Sequence, residues 1–424
     1  MSPFKNLSGT KNFKNGRTGF LHKMTSQNDK NRKNKLSIVH LVYKMGLGGI
    51  EISVSKLVLD QKARGCEVTV VCLFDNGVIG EELKSKGIEV IALNLRQGRG
   101  MLNLITPLNR ICRERKADVI QVHAKGVEIP VAVVLLMRRE IRKSIFTIRG
   151  IAHYKGWHKW RARFCAKLSS LCFDNVVAIS RVLKEHEIHN LGRKPDTIIV
   201  IWNGVDTKAF CPRAIAPAKR AEALGLDYLE LDTFVVGMGV QLRKFKDIPT
   251  LMRAAVRVKE QKEGKILFVV AGIGPLEAAL KSLAGQLEIE DCFKFVGRIE
   301  DMPSFLNAID VLALTSPFEG LGVIALEAMA TGKPVVTTDS GGIRDCVIDG
   351  ETGIIVPVGD DKSLAESIVK LSNDRQLCYK MGQVGLRRAR RYFTLEQYNQ
   401  AYWDLIADEC LSSDEESTTV AAGK

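Results

Sequence analysis

VLALTSPFEGLGVIALEAMATGKPVVT, residues 311–337, reads as strand, loop, helix and strand. Val311–Leu314 and Pro334–Thr337 are apolar runs of strand length, and Val323–Ala330 is the helix between them. A strand that returns through a helix is the unit of a parallel sheet covered on both faces. The loop carries one carboxylate, Glu319, and the helix a second, Glu327, about two turns inside it.

Six helical residues rise roughly 9 Å, comparable to the span from the sugar to the ribose of a nucleotide sugar. The helix start between the two carboxylates offers free N–H groups and a positive dipole end to the diphosphate joining those sugars. Gly320 and Gly322, flanking Leu321 and followed by Val323, let backbone approach a ligand closely. Glycines there also suit a plain strand-to-helix turn, and Glu327 also suits a solvated helix face. Against the second option, Ala325, Leu326, Ala328, Met329 and Ala330 surround Glu327, and a carboxylate among apolar residues needs a partner.

Outward from this segment the same rhythm fills the chain. Before it come Phe234–Val240, helix Ile248–Lys259, strand Lys265–Ala271, helix Leu276–Leu283, strand Phe293–Val296 and helix Met302–Ala308. The first half repeats it from Leu36–Tyr43 through Val119–Val122, Ser144–Ile148 and Val176–Ile179 to Ile198–Ile201. Each half opens with a strand running into a glycine-containing loop. The expected organisation is a basic tail at 1–35, a first Rossmann-like domain at 36–210, a linker at 211–231 with Pro and Ala, and a second Rossmann-like domain at 232–395. A helix at 396–410, available to pack on the first domain, and an acidic tail at 411–424 complete it.

A chain of 424 residues with 46% hydrophobic content is too long for one core and composed like a soluble globular protein. No apolar run reaches the length of a spanning helix, and Ile129–Met137 is only strand-sized. The start has no apolar stretch of a secretory signal, which leads to the expectation of cytoplasmic residence. Ten cysteines without C-x-x-C spacing read as reduced, core-packing thiols. The net charge of +14 sits in the first half.

The run E-G-x-G-x-x-x-L-E-A-M-A-x-G-x-P-V-V, from Glu319 to Val336, resembles the signature of the retaining GT-B glycosyltransferases of family four. That family includes glycogen synthase-like, sucrose synthase-like and phosphatidylinositol mannosyltransferase-like enzymes. The resemblance covers about residues 36–395 and implies two Rossmann-like domains facing across a cleft with the donor between them. It gives Glu319 the donor-sugar hydroxyls near the reacting carbon and Glu327 the nucleotide ribose. Lys246, before the helix at Ile248, matches the phosphate-binding lysine, a cation placed to neutralise the departing diphosphate. The arginine usual five residues earlier is Gln241 here, and Arg243 is the nearest substitute, although Arg243 and Lys244 also suit a solvated basic loop.

Gly46-Leu47-Gly48-Gly49-Ile50-Glu51 is similar to the family's glycine loop facing the donor phosphate, and His123, ending a strand at its carboxyl edge, to a histidine that contacts the donor sugar. A lone histidine is also commonly structural. Gly272, Gly274, Arg298 and the pair Gly341-Gly342 match positions lining the nucleotide side, and Asp345 stands where the family usually has Glu. The resemblance implies retention of anomeric configuration. No metal or other cofactor is expected, since there is no D-x-D motif and no His/Cys cluster of ligand spacing.

Met137-Arg138-Arg139-Glu140-Ile141-Arg142-Lys143 and Tyr154–Phe164 interleave cations with aromatics, which suits anionic lipid head groups or a phosphorylated glycan. Peripheral attachment at the inner face of the cell membrane and a glycan or lipid-linked acceptor are the corresponding expectations; no nucleic-acid reader motif accompanies the charges. Cell-surface polysaccharide or lipopolysaccharide synthesis is the expected setting. Two other readings stand beside the transferase. An NAD-dependent dehydrogenase needs a small residue where Glu51 closes the first glycine loop, and a non-catalytic sugar-nucleotide or polyanion-binding protein needs no turnover at all.

Overall fold

Ser37–Val42 (β1) is buried at all six positions, the mark of a strand covered on both faces. It is an interior strand of the first sheet in the computed structural model, which describes residues 35–95, 101–151, 157–261 and 265–410. The chain then alternates through α1 (Gly49–Ala63), β2 (Glu67–Cys72), α2 (Gly77–Ser85), β3 (Glu89–Ala92), α3 (Ile105–Glu114) and β4 (Val119–Val122). It continues through α4 (Glu128–Met137), β5 (Lys143–Ile148), α5 (Trp157–Cys172), β6 (Asn175–Ala178), α6 (Arg181–Leu191) and β7 (Ile198–Val200). These strands form a wholly parallel sheet in the order β3-β2-β1-β4-β5-β6-β7.

The second half begins with α7 (Pro217–Ala223) and β8 (Phe234–Gly239), followed by α8 (Ile248–Gln261), β9 (Ile266–Ala271), α9 (Glu277–Gln286), β10 (Phe293–Gly297), α10 (Met302–Ala308), β11 (Val311–Leu314) and α11 (Val323–Ala330). β12 (Val335–Thr338), β13 (Gly353–Val356), α12 (Asp361–Asn373), α13 (Arg375–Tyr392) and α14 (Leu395–Cys410) complete it. Its sheet is also parallel, in the order β10-β9-β8-β11-β12-β13. The fold is two Rossmann-like α/β domains. Each has a switch point, β1/β4 and β8/β11, outside which ligands of open parallel sheets bind.

The chain passes between the domains twice, at adjacent places. The Val205 N–H donates to the Phe393 carbonyl (2.8 Å) and the Leu395 N–H to the Val205 carbonyl (2.9 Å). α14 then returns to the first domain, where Tyr398, Tyr402, Ile406 and Cys410 share a core with Val54, Leu57 and Val58 of α1.

Two segments carry helices that the sequence leaves unassigned. Ile129–Met137, too short for a membrane span, lies in helix α4; a short wholly apolar run carries no period to tell helix from strand. The expected linker at 211–231 contains α7: Pro217 occupies its first turn, where a missing N–H costs nothing, and Arg220 ties it to Asp310 at 2.6 Å. No disulfide joins the ten cysteines. The tails at 1–34 and 411–424 and the residues Tyr154 and Lys155 lie outside the described residues.

Candidate active site

The loop after β11 is shaped from both sides by buried hydroxyls and glycines. Thr338 Oγ1 donates to the Ser316 carbonyl (2.7 Å) and Thr315 Oγ1 to the Lys246 carbonyl (3.0 Å), bringing the loops after β11, β12 and β8 together. The Glu319 N–H donates to the Ser340 carbonyl (2.8 Å), and the Gly342 N–H to the Glu319 carbonyl (3.1 Å). Gly322 turns the chain into α11 with φ 82°, a left-handed conformation that a Cβ would disfavour.

Within this frame the Glu319 carboxylate accepts from Lys246 Nζ and from Ser316 Oγ, both at 2.6 Å on Oε1. The pair is mostly enclosed, with side-chain exposures of 18% and 15%. Among the described residues, no acceptor lies within hydrogen-bond reach of the backbone N–H groups of Leu321, Gly322 or Val323. A helix start with unsatisfied donors beside a lysine is a ready site for an anion. The Leu321 side chain itself is core, 1% exposed, so only its backbone is available to a ligand.

α11 begins at Val323, so Glu327 stands just over one turn inside it rather than two, roughly 6 Å along the axis. Glu327 is 8% exposed and has no hydrogen-bond or ion-pair partner among the described residues. Burial pushes its carboxyl up to about 7, opposed only by the Lys56 ammonium of α1. Facing this helix is the first domain's glycine loop, where a Cβ built on Gly49 would lie 3.9 Å from Val323 Cγ2. Glu51 folds back over Gly48.

The other residues singled out from sequence fall into distinct settings. Arg243 is exposed and its side chain has no partner among the described residues. Gln241, where a charge is missing, donates from Nε2 to the Leu47 carbonyl at 2.6 Å and so ties the second domain to the first domain's glycine loop. Gly272 and Gly274 press against the carbonyls of Val240 and Leu242, where a Cβ would come within 1.7 and 2.4 Å. Close backbone packing therefore accounts for both. Arg298 is exposed just beyond β10, an edge strand of the second sheet.

His123, at the end of β4, is 5% exposed and has both ring nitrogens engaged. Arg149 can only donate, so His123 Nδ1 accepts from it (3.2 Å from Nη2, 3.4 Å from Nε). The His123 proton is then on Nε2 and is donated to His40 Nδ1 at 3.1 Å, and His40 Nε2 donates to Gln61 Oε1 at 2.7 Å. Burial, with the Arg149 charge and His40 beside it, holds His123 well below the ordinary imidazole range, so the ring is neutral. Sequence reasoning missed His40 and Arg149. His40 sits mid-strand in an apolar run, and a single arginine after a strand carries no distinguishing signal.

Asp345 accepts on Oδ2 from the Arg181 N–H (2.6 Å) and from Trp202 Nε1 (2.9 Å), both in the first domain. Arg388 holds the carbonyls of Asp345 and Cys346 at 2.7 and 2.9 Å. The two domains are thus fastened to each other at Gln241 and at Asp345.

The model of Glycosyltransferase Family 4 matches residues 47–209, and that of Glycosyl transferases group 1 matches residues 229–388. The N-acetyl-alpha-D-glucosaminyl L-malate synthase of Bacillus anthracis is 28% identical over 240 residues, 56% of this chain and 61% of that protein. The lipopolysaccharide core biosynthesis mannosyltransferase LpsB of Rhizobium meliloti is 29% identical over 371 residues, 85% of this chain and 93% of its own length. Among solved structures, the Anabaena protein HepE in complex with UDP-glucose superposes with a TM-score of 0.75 at 22% identity, covering 88% of this chain and 100% of that one. The two family models lie end to end over the two domains that carry the loops described above, and the chain belongs to the family-four glycosyltransferases of GT-B fold.

Proposed function

We propose that this protein moves a sugar from a nucleotide-diphosphate sugar to a glycan or lipid-linked acceptor with retention of anomeric configuration, in cell-surface polysaccharide or lipopolysaccharide synthesis. The observation that carries the reading is the unpartnered Glu327 carboxylate, placed beyond a helix start whose free N–H groups adjoin the Lys246–Glu319 pair. The diphosphate lies on those N–H groups and on Lys246, the ribose hydroxyls donate to Glu327, and Glu319 with Lys246 orients the donor sugar. Lys246 offsets the charge that develops on the leaving diphosphate. The acceptor attacks on the face the diphosphate leaves, and a phosphate oxygen takes its proton. Cleft closure excludes water that would otherwise hydrolyse the donor. The name of the Rhizobium relative supports sugar transfer in a surface-glycan setting, and that of the Bacillus relative supports sugar transfer.

The reaction needs no metal in this reading, so activity persists in a chelator. A thermal-shift screen against UDP-, GDP- and ADP-sugars, with NAD and free nucleotides as controls, tests the donor class. A shift selective for one nucleotide sugar and abolished by Glu327→Ala supports the proposal, whereas a shift with NAD alone overturns it. Proton NMR of the anomeric linkage in the product tests retention.

The inner face of the membrane is the proposed place of work. α5 exposes Trp160, Phe164 and Leu171 on one side between Lys159, Arg161, Arg163 and Lys167, and the neighbouring α4 exposes Leu136 and Met137. No described helix is long and apolar enough to cross a membrane. Co-sedimentation with anionic but not zwitterionic vesicles, lost in Phe164→Glu, is the expected result.

A further inference from the structure

A cavity of about 250 Å³ opens at the carboxyl ends of β1, β4 and β5, beside the start of α1. Its wall includes Lys44, Glu51, His123, Lys125, Thr147 and Arg149. Arg149 is 7% exposed, yet its guanidinium meets only neutral groups: His123 Nδ1 at 3.2 and 3.4 Å, Asn203 Oδ1 at 3.3 Å and Tyr398 Oη at 3.3 Å. None of the described carboxylates comes within 4.0 Å of it. A guanidinium does not shed its proton in a protein, so this is a buried positive charge held by long hydrogen bonds and no counter-ion. Buried charges are ordinarily paired, and the open space beside this one is the cavity.

The other charges on the wall leave the balance positive. The Lys125 ammonium is engaged by Glu187 at 2.9 Å. Lys44 is exposed at the rim and has no hydrogen bond or ion pair among the described residues. Glu51 is the single carboxylate on the wall, acting on Arg149 from beyond ion-pair distance.

The cavity also adjoins the donor loop. A Cβ built on Gly320 would come within 2.9 Å of the Arg149 carbonyl oxygen, and Gly320 follows Glu319 of the Lys246 pair. The cavity wall is made of first-domain residues, and Arg149 is the residue that joins it to the donor loop. The donor's own diphosphate is provided for in the second domain by the α11 start.

We infer that this cavity is an acceptor subsite for an anionic group, a phosphate or a carboxylate, recognised by the Arg149 guanidinium with Lys44 at the mouth. A planar fork of donors matches either oxyanion in a bidentate manner. The inference rests on the transferase reading above and narrows it to acceptors that carry negative charge close to the accepting hydroxyl.

The test uses the full-length protein saturated with whichever of UDP, GDP or ADP raises its melting temperature, so that the diphosphate site is filled. Inorganic phosphate or malonate is then titrated at constant ionic strength, the two arms separating phosphoryl from carboxylate preference. A further, saturable rise with at least one anion is expected, weakened several-fold in Lys44→Ala and at least tenfold in Arg149→Gln, with the nucleotide shift retained in both. No saturable rise in the wild type, or unchanged anion affinity in Arg149→Gln, overturns the inference while leaving the transferase reading in place. If Arg149→Gln does not fold, the wild-type titration and Lys44→Ala decide: unchanged affinity in Lys44→Ala overturns it. A protein stabilised by no nucleotide brings down both readings before any anion is added.

Discussion

Lys246 Nζ lies 2.6 Å from Glu319 Oε1, an ion pair assembled from two loops 73 residues apart at the ends of neighbouring strands. In the proposed reaction each partner has a task with the donor, and in the structure each holds the other in place.

Glu319→Gln keeps the size and the Ser316 contact but removes the charge. Its kcat should fall about a hundredfold or more, the size of effect seen when a preorganised electrostatic contact is lost. Lys246→Met should lose activity to a similar degree and raise the donor KM as well. A double-mutant cycle on stability should give a coupling of about 1 kcal/mol, because the pair is mostly but not fully enclosed.

Glu327 makes the unliganded protein less stable as pH rises. Its carboxyl ionises near 4.5 ordinarily and near 7 in the fold. Below pH 4.5 both states are protonated and nothing is lost. Between 4.5 and 7 the unfolded chain releases a proton that the folded one retains, a cost of about 3 kcal/mol when complete. Urea midpoints of wild type and Glu327→Gln should therefore converge at pH 4 and separate by pH 8, with the variant the more stable. Ribose hydroxyls donating to the carboxylate favour its charged form, so donor affinity in the wild type should rise with pH up to about 7.

The imidazoles act in the opposite direction. His40 is lowered from 6.5 to about 4, chiefly by burial, with the Gln61 hydrogen bond opposing and the Arg149 charge assisting. Above pH 6.5 it is neutral folded or unfolded. As pH falls from 6.5 to 4 the unfolded state takes up a proton that the folded state refuses, and stability is lost. Nitrogen-15 NMR at pH 7 should find both His40 and His123 as neutral Nε2–H tautomers, and a protonated ring at that pH would contradict the hydrogen-bond direction set by Arg149.

Asp345 joins the domains through Trp202, and Asp345→Ala leaves the indole N–H and the Arg181 N–H without their acceptor. The cost should be about 1–3 kcal/mol. A larger radius of gyration in solution scattering and an altered Trp202 emission should accompany it, since the contact holds the second domain to the first.

Several elements escaped the sequence reading for identifiable reasons. Ile129–Met137 has too uniform a polarity to show a period. Between Thr337 and Tyr392 no element was assigned, although Asp360 and Asp374 cap α12 and α13 by accepting from the Ser363 and Leu377 N–H groups. Those caps are local and legible, each an Asp accepting from the N–H three residues on. Arg149 and His40 were invisible for a different reason, since their significance lies in having no charged partner and in facing one another through His123.

What the sequence by itself determined was the order of strands and helices, two Rossmann-like halves, and the loops in which Glu319, Glu327 and Lys246 reside. Run length, glycine placement and the isolation of a carboxylate among apolar residues are properties of short stretches. Only the tertiary structure decided that Arg149 shares its hydrogen bonds with Tyr398, 249 residues away, and that Gln241 and Asp345 fasten the two domains. Those contacts depend on strand order and on the return of α14 to the first domain, and a pattern of local periodicity encodes neither.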